Sequence, residues 1–180
     1  MTYEKIITLH VGGVHASAEP TVIKTLLGSC IAVCLWDPRA RIGGMNHFML
    51  PEGRGDGSIE DATRFGVHAM DRLIGEMLKL GAEPRRFAVK VFGGASVLAL
   101  KGAASVPQAN VEFVRTFLAR EGFHLAAKSV GGTYPRQVHF FTESGKALVR
   151  RVVGPQVEAA LLEQEQRRRP RPQFGDVTLF

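Results

Sequence analysis

The sequence predicts an α+β domain: a layered, mixed or antiparallel β-sheet core with two main helices packed on it. Three observations predict it. Short apolar runs rich in branched and aromatic residues are separated by turn-forming pairs. Two longer stretches repeat their apolar residues at helical spacing. The order is strands, helix, strand, helix, strands rather than strict alternation. At 180 residues, 45% hydrophobic and 22% charged, the chain has the size and composition of a single globular domain.

A first strand is expected over residues 6–11, ended by Gly12-Gly13. Strands over 22–27, 31–36 and 42–50 follow, divided by Gly28-Ser29 and by the turn Asp37-Pro38-Arg39-Ala40. Residues 51–58 shift to Gly, Glu, Arg and Asp and read as a loop. Ser58 with Asp61 resembles a capping box, after which Phe65, Ala69, Leu73, Met77 and Leu80 recur on a helix that Gly81 stops. Residues 87–92 read as a strand ended by Gly93-Gly94. A second helix is expected over 108–120, with Val111, Val114, Phe117 and Leu118 inward and Gly122 as its stop. Strands over 124–129 and 137–141 flank Gly131-Gly132, and 146–153 forms the last hairpin arm. The expected domain is 1–154. Residues 155–180 are expected to be a short helix followed by a basic, flexible tail.

Bulk properties narrow the function. Of the net charge of +6, Arg167, Arg168, Arg169 and Arg171 supply much, so the basicity belongs to the C-terminus rather than to a nucleic-acid groove. No run reaches the roughly 18 apolar residues of a membrane span, and no signal core is visible, so a cytoplasmic protein without membrane insertion is expected. His10, His15, His68, His124 and His139 share no ligand spacing, and no metal or other cofactor is expected. Gly93-Gly94-Ala95-Ser96 lacks the lysine of a phosphate loop. Cys30 and Cys34 lie on one strand and cannot bridge within it.

The hairpin built on these cysteines carries the chemistry. If Asp37 to Ala40 is its turn and Trp36 faces Arg41, Cys30 lies opposite His47. Opposed side chains share a face with Cβ atoms about 5 Å apart, so thiol and imidazole could meet. Ile31, Val33, Leu35, Ile42 and Phe48 form the apolar face. Cys30, Ala32, Gly43, Met45 and His47 form the other, whose small residues let a second layer or a substrate approach the thiol. An imidazole beside a thiol favours the nucleophilic thiolate, and acyl transfer is the natural reaction. Main-chain N–H groups at Gly28-Ser29 are candidates to hold an oxyanion. Cys34, facing Gly43 in this register with no base beside it, reads as structural.

The run from Thr25 through Gly28-Ser29-Cys30 to Asp37-Pro38, then Gly43-Gly44-Met45-Asn46-His47-Phe48-Met49-Leu50-Pro51, resembles the CheD family of chemoreceptor glutamine deamidases. The likeness continues through Lys90-Val91-Phe92-Gly93-Gly94-Ala95, Asn110, Gly131-Gly132, Arg136 and Thr142-Glu143-Ser144-Gly145-Lys146. It implies thiol-dependent hydrolysis of glutamine side-chain amides on the cytoplasmic helices of methyl-accepting chemotaxis receptors, with Cys30 as nucleophile and His47 as base. It also implies a threonine shortly before the cysteine. A gapless alignment with some members puts Lys24 there, and the adjacent Thr25 is the candidate. A CheC-type phosphatase is a further partner the family implies. A non-catalytic adaptor using the same site is the alternative.

Outside this pair, Gly93 and Gly94 are candidates for close substrate approach or a tight turn. Ser29 is a candidate for substrate binding. Arg136 and Gln137 could line the site, although a surface arginine before a strand is the ordinary reading of Arg136. The apolar end, 174–180, reads as a partner-binding tail or an edge strand.

Overall fold

The computed structural model describes residues 5–50, 59–97 and 105–168. The expected loop at 51–58, with its cap at Ser58, and the tail from Arg169 lie outside the described residues. Nine strands and three helices are described: β1 (Lys5–Thr8), β2 (Val14–Ser17), β3 (Thr21–Leu27), β4 (Ile31–Asp37), β5 (Ile42–Phe48), α1 (Ile59–Lys79), β6 (Ala88–Gly93), α2 (Ser105–Glu121), β7 (His124–Val130), β8 (Arg136–Phe141), β9 (Ala147–Arg151) and α3 (Pro155–Arg168). They form two mixed sheets, ordered β1-β3-β8-β9 and β2-β5-β4-β6-β7. The α+β expectation holds.

The central strand β4 explains the layering. Ile31, Val33 and Leu35 join the core beneath α1 and α2, with Met70, Leu73, Met77, Val114 and Leu118. Cys30, Ala32 and Cys34 join a second core with Ile23, Leu27, Met45, Val138 and Phe140, between the two sheets. A strand covered on both faces must be apolar nearly throughout, and Ile31 to Leu35 is. Glycines bring the layers close. A Cβ at Gly43 would lie 2.6 Å from Thr142 Cα in the facing sheet, and one at Gly44 would lie 2.9 Å from Met77 Sδ on α1.

The β4–β5 register differs from the expected one. Asp37 pairs with Ile42 and Ala32 with His47, so Cys30 and His47 are not directly opposed. The cause lies in the turn. Arg41 adopts the left-handed region, φ 58°, and its N–H donates to Asp37 O at 2.8 Å, which draws Arg41 into the turn. Asp37 holds that end: Oδ1 accepts the N–H groups of Arg39 and Ala40, Oδ2 accepts that of Glu83, and the buried carboxylate pairs with the Arg86 guanidinium at 2.6 Å. The guanidinium holds the Asp37 carboxyl well below the usual carboxylate range, against the opposing effect of burial. The register moves by two residues, so every side chain keeps its expected face.

Three other expectations need correction. Strand β2, antiparallel to β5, falls in a segment to which the sequence pattern assigns no element. On α1 the inward line is Gly66, Met70, Leu73 and Met77, while Phe65 and Leu80 are exposed. Phe65, Ala69, Leu73 and Met77 step by four, more than a turn each time, so their line crosses the buried face rather than following it, and Leu80 lies beyond the helix end at Lys79. Arg136 is buried, donating to Ser129 Oγ, Gly131 O and Tyr134 O, and it ties together the Gly131-Gly132 turn.

Candidate active site

Strand β3 ends at Leu27, and Gly28-Ser29 turns the chain so that Cys30 enters β4 with its side chain between the sheets, 2% exposed. Gly28 gives the turn room, because a Cβ there would lie 3.0 Å from Val97 Cγ2 and 3.1 Å from Leu161 Cδ2 of α3. The end of β6 braces the turn from behind. Gly94 N–H donates to Cys30 O at 2.8 Å, and Ala95 N–H donates to Gly28 O at 2.9 Å. Gly93 has φ 109°, and any Cβ there would collide with Cys30 O. The brace is itself held, since Gly93 O accepts Gly131 N–H and Gly132 O accepts Ser96 N–H.

His47 lies on β5, fully buried, facing the same inter-sheet layer and opposite Ala32. Cys30 stands two residues before Ala32, just ahead of β4, with its side chain in the same inter-sheet core. The thiol is therefore the diagonal neighbour of the imidazole, a separation that a ring-bearing side chain can span.

Thr25 faces inward from β3, while Lys24 lies beside His139 on the outer face of the four-stranded sheet. Thr25 Oγ1 lies 2.8 Å from His47 Nδ1 and 2.8 Å from Leu9 O. A carbonyl can only accept, so the hydroxyl hydrogen goes to Leu9 and Nδ1–H donates to Oγ1. The proton on Nδ1 leaves Nε2 with its lone pair, the tautomer a general base requires. Nε2 is buried and has no hydrogen-bond partner among the described residues. Burial is the chief influence on the ring. It holds the His47 pKa at about 4; the Leu9 carbonyl opposes that shift and the His10 charge adds to it. The ring is neutral at neutral pH.

The segment between β1 and β2 keeps Leu9 in place. Leu9 N–H donates to Lys24 O, Gly12 N–H to His47 O, and His47 N–H to Gly13 O. Nothing in the sequence marked a backbone carbonyl for this position. Asn110 on α2 is the other polar group that sequence reasoning gave no role. It is fully buried, and its amide bonds Ser29 O and Leu50 N–H at 2.8 Å each. A signal was present: Asn110 interrupts the buried line Val106, Val114, Leu118 of its helix, and a polar group there needs partners.

Among the remaining candidates, Ser29 Oγ lies 3.5 Å from Met49 Sδ. Cys34 pairs with Met45 rather than Gly43, is fully buried, and burial pushes its thiol pKa far up. It is an inert core residue. Among the described residues no three His, Cys, Asp or Glu side chains group as metal ligands. No described helix is long and apolar enough to cross a membrane.

A family model described as "CheD chemotactic sensory transduction" matches residues 49–151. Thr25, Cys30 and His47 precede that match, so their arrangement stands on geometry. The "Probable chemoreceptor glutamine deamidase CheD" of Burkholderia orbicola (strain MC0-3) is 43% identical over 173 residues, covering 92% of this chain and 70% of the relative. The "Probable chemoreceptor glutamine deamidase CheD 1" of Burkholderia thailandensis is 45% identical over 157 residues, covering 83% of this chain and 67% of the relative. The similarly named protein of Bordetella petrii is 42% identical over 147 residues, covering 82% and 66%.

Proposed function

The chain belongs to the CheD family, and from that membership we propose that it hydrolyses glutamine side-chain amides to glutamate on methyl-accepting chemotaxis receptors. Cys30 is the nucleophile, His47 the general base and Thr25 the group that positions it. The observation that carries this reading is the chain Leu9 O, Thr25 Oγ1, His47 Nδ1, which fixes the neutral tautomer with Nε2 as acceptor.

The chemistry follows from that tautomer. His47 Nε2 takes the thiol proton as the sulfur attacks the amide carbon, giving a tetrahedral intermediate. Gly28-Ser29 is the segment beside the sulfur from which main-chain N–H groups reach the oxyanion. Gly94 N–H is already held by Cys30 O, so the role of Gly93 and Gly94 is to pack closely behind the nucleophile. The imidazolium returns its proton to the amide nitrogen, the C–N bond breaks, and ammonia leaves a thioester. Water, deprotonated by Nε2, then attacks that thioester. Glutamate is released and the thiol regains its proton.

Each turnover turns a neutral amide on a receptor helix into a carboxylate, which alters repulsion between neighbouring helices and hence signalling bias. The substrate segment belongs to the receptor's cytoplasmic helices, which places the enzyme in the cytoplasm. A CheC-type phosphatase is the second partner of the same site, and its addition should inhibit turnover. Ammonia release from purified receptor cytoplasmic fragments tests the reading. Wild type should release ammonia and Cys30→Ala should not. Equal release by both would overturn it, and intact signalling with Cys30→Ala would favour the adaptor.

A further inference from the structure

We propose that Asn110 is a positioning residue whose side-chain amide replaces one rung of the β4–β5 ladder, holding the two strands apart at the nucleophile. The proposal rests on the deamidase reading and deepens it.

The last pair of the ladder is Ile31 with Phe48. Cys30 lies just beyond it, so ladder bonds to β5 do not fix its position relative to His47. Continuing the register puts Ser29 opposite Leu50, and these are the two residues that Asn110 joins. Leu50 N–H donates to Asn110 Oδ1 and Asn110 Nδ2 donates to Ser29 O, both at 2.8 Å.

Alternation of the backbone gives this coincidence its meaning. Cys30 turns its carbonyl away from β5, toward Gly94 just past the end of β6. Ser29, one residue away, turns its carbonyl toward β5. In a continued ladder Leu50 N–H would donate directly to Ser29 O. Instead a whole amide is inserted, with the same donor at one end and the same acceptor at the other. The strands separate by the width of that amide without leaving either backbone group unpaired. Cys30 sits between the last true rung and the inserted one, where the strands diverge. Full burial of Asn110 and the long chain separations, 81 residues to Ser29 and 60 to Leu50, make the bridge a tertiary device rather than a local turn.

The bridge has two consequences. It fixes the Cys30 sulfur relative to His47, because it ties the residue before Cys30 to a residue three beyond His47. It also keeps the opening through which an amide reaches the sulfur. Without it the strands can close into a direct rung or splay, and both move the thiol.

Three variants test this: Asn110→Ala, which removes both bonds; Asn110→Asp, which still accepts from Leu50 N–H but sets a carboxylate against Ser29 O; and Thr142→Val as control. Thr142 is buried and bonds Thr21 N–H and Glu19 O, so its loss removes buried hydrogen bonds away from the thiol. Iodoacetamide alkylation is read at Cys30 by tandem mass spectrometry across pH, beside kcat and KM on receptor fragments. Both Asn110 variants should lose about 100-fold in kcat with KM little changed, and should show an altered pH profile of Cys30 alkylation. Thr142→Val should keep the wild-type profile even if its melting temperature falls. A folded Asn110 variant with wild-type kcat and alkylation, or a Thr142→Val profile matching those of the Asn110 variants, would overturn the proposal. If wild type itself releases no ammonia, the deamidase reading fails while the alkylation profiles still decide the role of Asn110. Should Asn110→Ala not fold, Asn110→Asp carries the same comparison.

Discussion

At the scale of single residues, the behaviour of His47 turns on two protons. The one on Nδ1 is fixed by Thr25, whose own hydrogen is committed to Leu9. The one that Nε2 must accept is absent at neutral pH, because burial holds the ring's pKa at about 4. A depressed pKa keeps the base in its working form as pH falls, until the ring protonates. The acid limb of kcat/KM should therefore lie well below the ordinary histidine value of about 6.5, and activity should persist near pH 5.5. A pH–rate profile on receptor fragments checks this, and a limb at or above 6.5 would contradict it. Thr25→Val keeps the volume of the side chain and removes the oxygen, so Nδ1–H loses its acceptor and the tautomer loses its bias. The expected loss is about 10² in kcat, with KM nearly unchanged and Thr25→Ser largely restoring the rate. Sequence spacing alone left the choice between Lys24 and Thr25 open. In the fold Thr25 Oγ1 is the group 2.8 Å from His47 Nδ1, and Lys24, its neighbour on the strand, faces the opposite way.

At the scale of elements, the β4–β5 hairpin and the end of β6 set Cys30 in place. The faces of this hairpin were legible in the sequence, because the period of two survives a register shift of two residues. The shift itself was hidden, because Arg41 carries no signal for the left-handed conformation that lengthens the turn. The outcome for Cys30 and His47 is a diagonal rather than a direct pairing, on the expected face. Gly93 is the most exposed point of this design to substitution. Its positive φ and its approach to Cys30 O leave no space for a methyl group. Gly93→Ala should cost about 2 kcal/mol or more in stability. What folds should show a displaced thiol, read as lost deamidation with receptor binding retained. Denaturant unfolding and a binding assay together separate the two effects.

At the scale of the molecule, helices, one sheet and a second sheet stack so that the central strand β4 is covered on both sides. The main helices and most strands were legible because each is a local pattern. Which sheet a strand joins was not: β7 and β8 follow one another in sequence yet lie in different sheets. Strand β2 was hidden because Val14 to Ser17 is short, lies at the sheet edge and mixes polar with apolar residues. The site lies where these long-range choices converge: Thr25 comes from one sheet, His47 and Cys30 from the other, Leu9 from a connection, and Asn110 from a helix. The thiol and imidazole were therefore readable from a local hairpin and Thr25 from the family resemblance, whereas Leu9 O and the Asn110 amide, which arrive through long-range contacts, were not.

The central claim is that this assembly performs hydrolysis through Cys30. Its most direct test is the intact mass of a receptor cytoplasmic fragment incubated with the protein in water enriched in oxygen-18. Wild type should add about 3 Da per modified glutamine, combining loss of the amide nitrogen with gain of one labelled oxygen, and Cys30→Ala should add nothing. An unchanged mass with folded, receptor-binding wild type, or the same gain with Cys30→Ala, would contradict it.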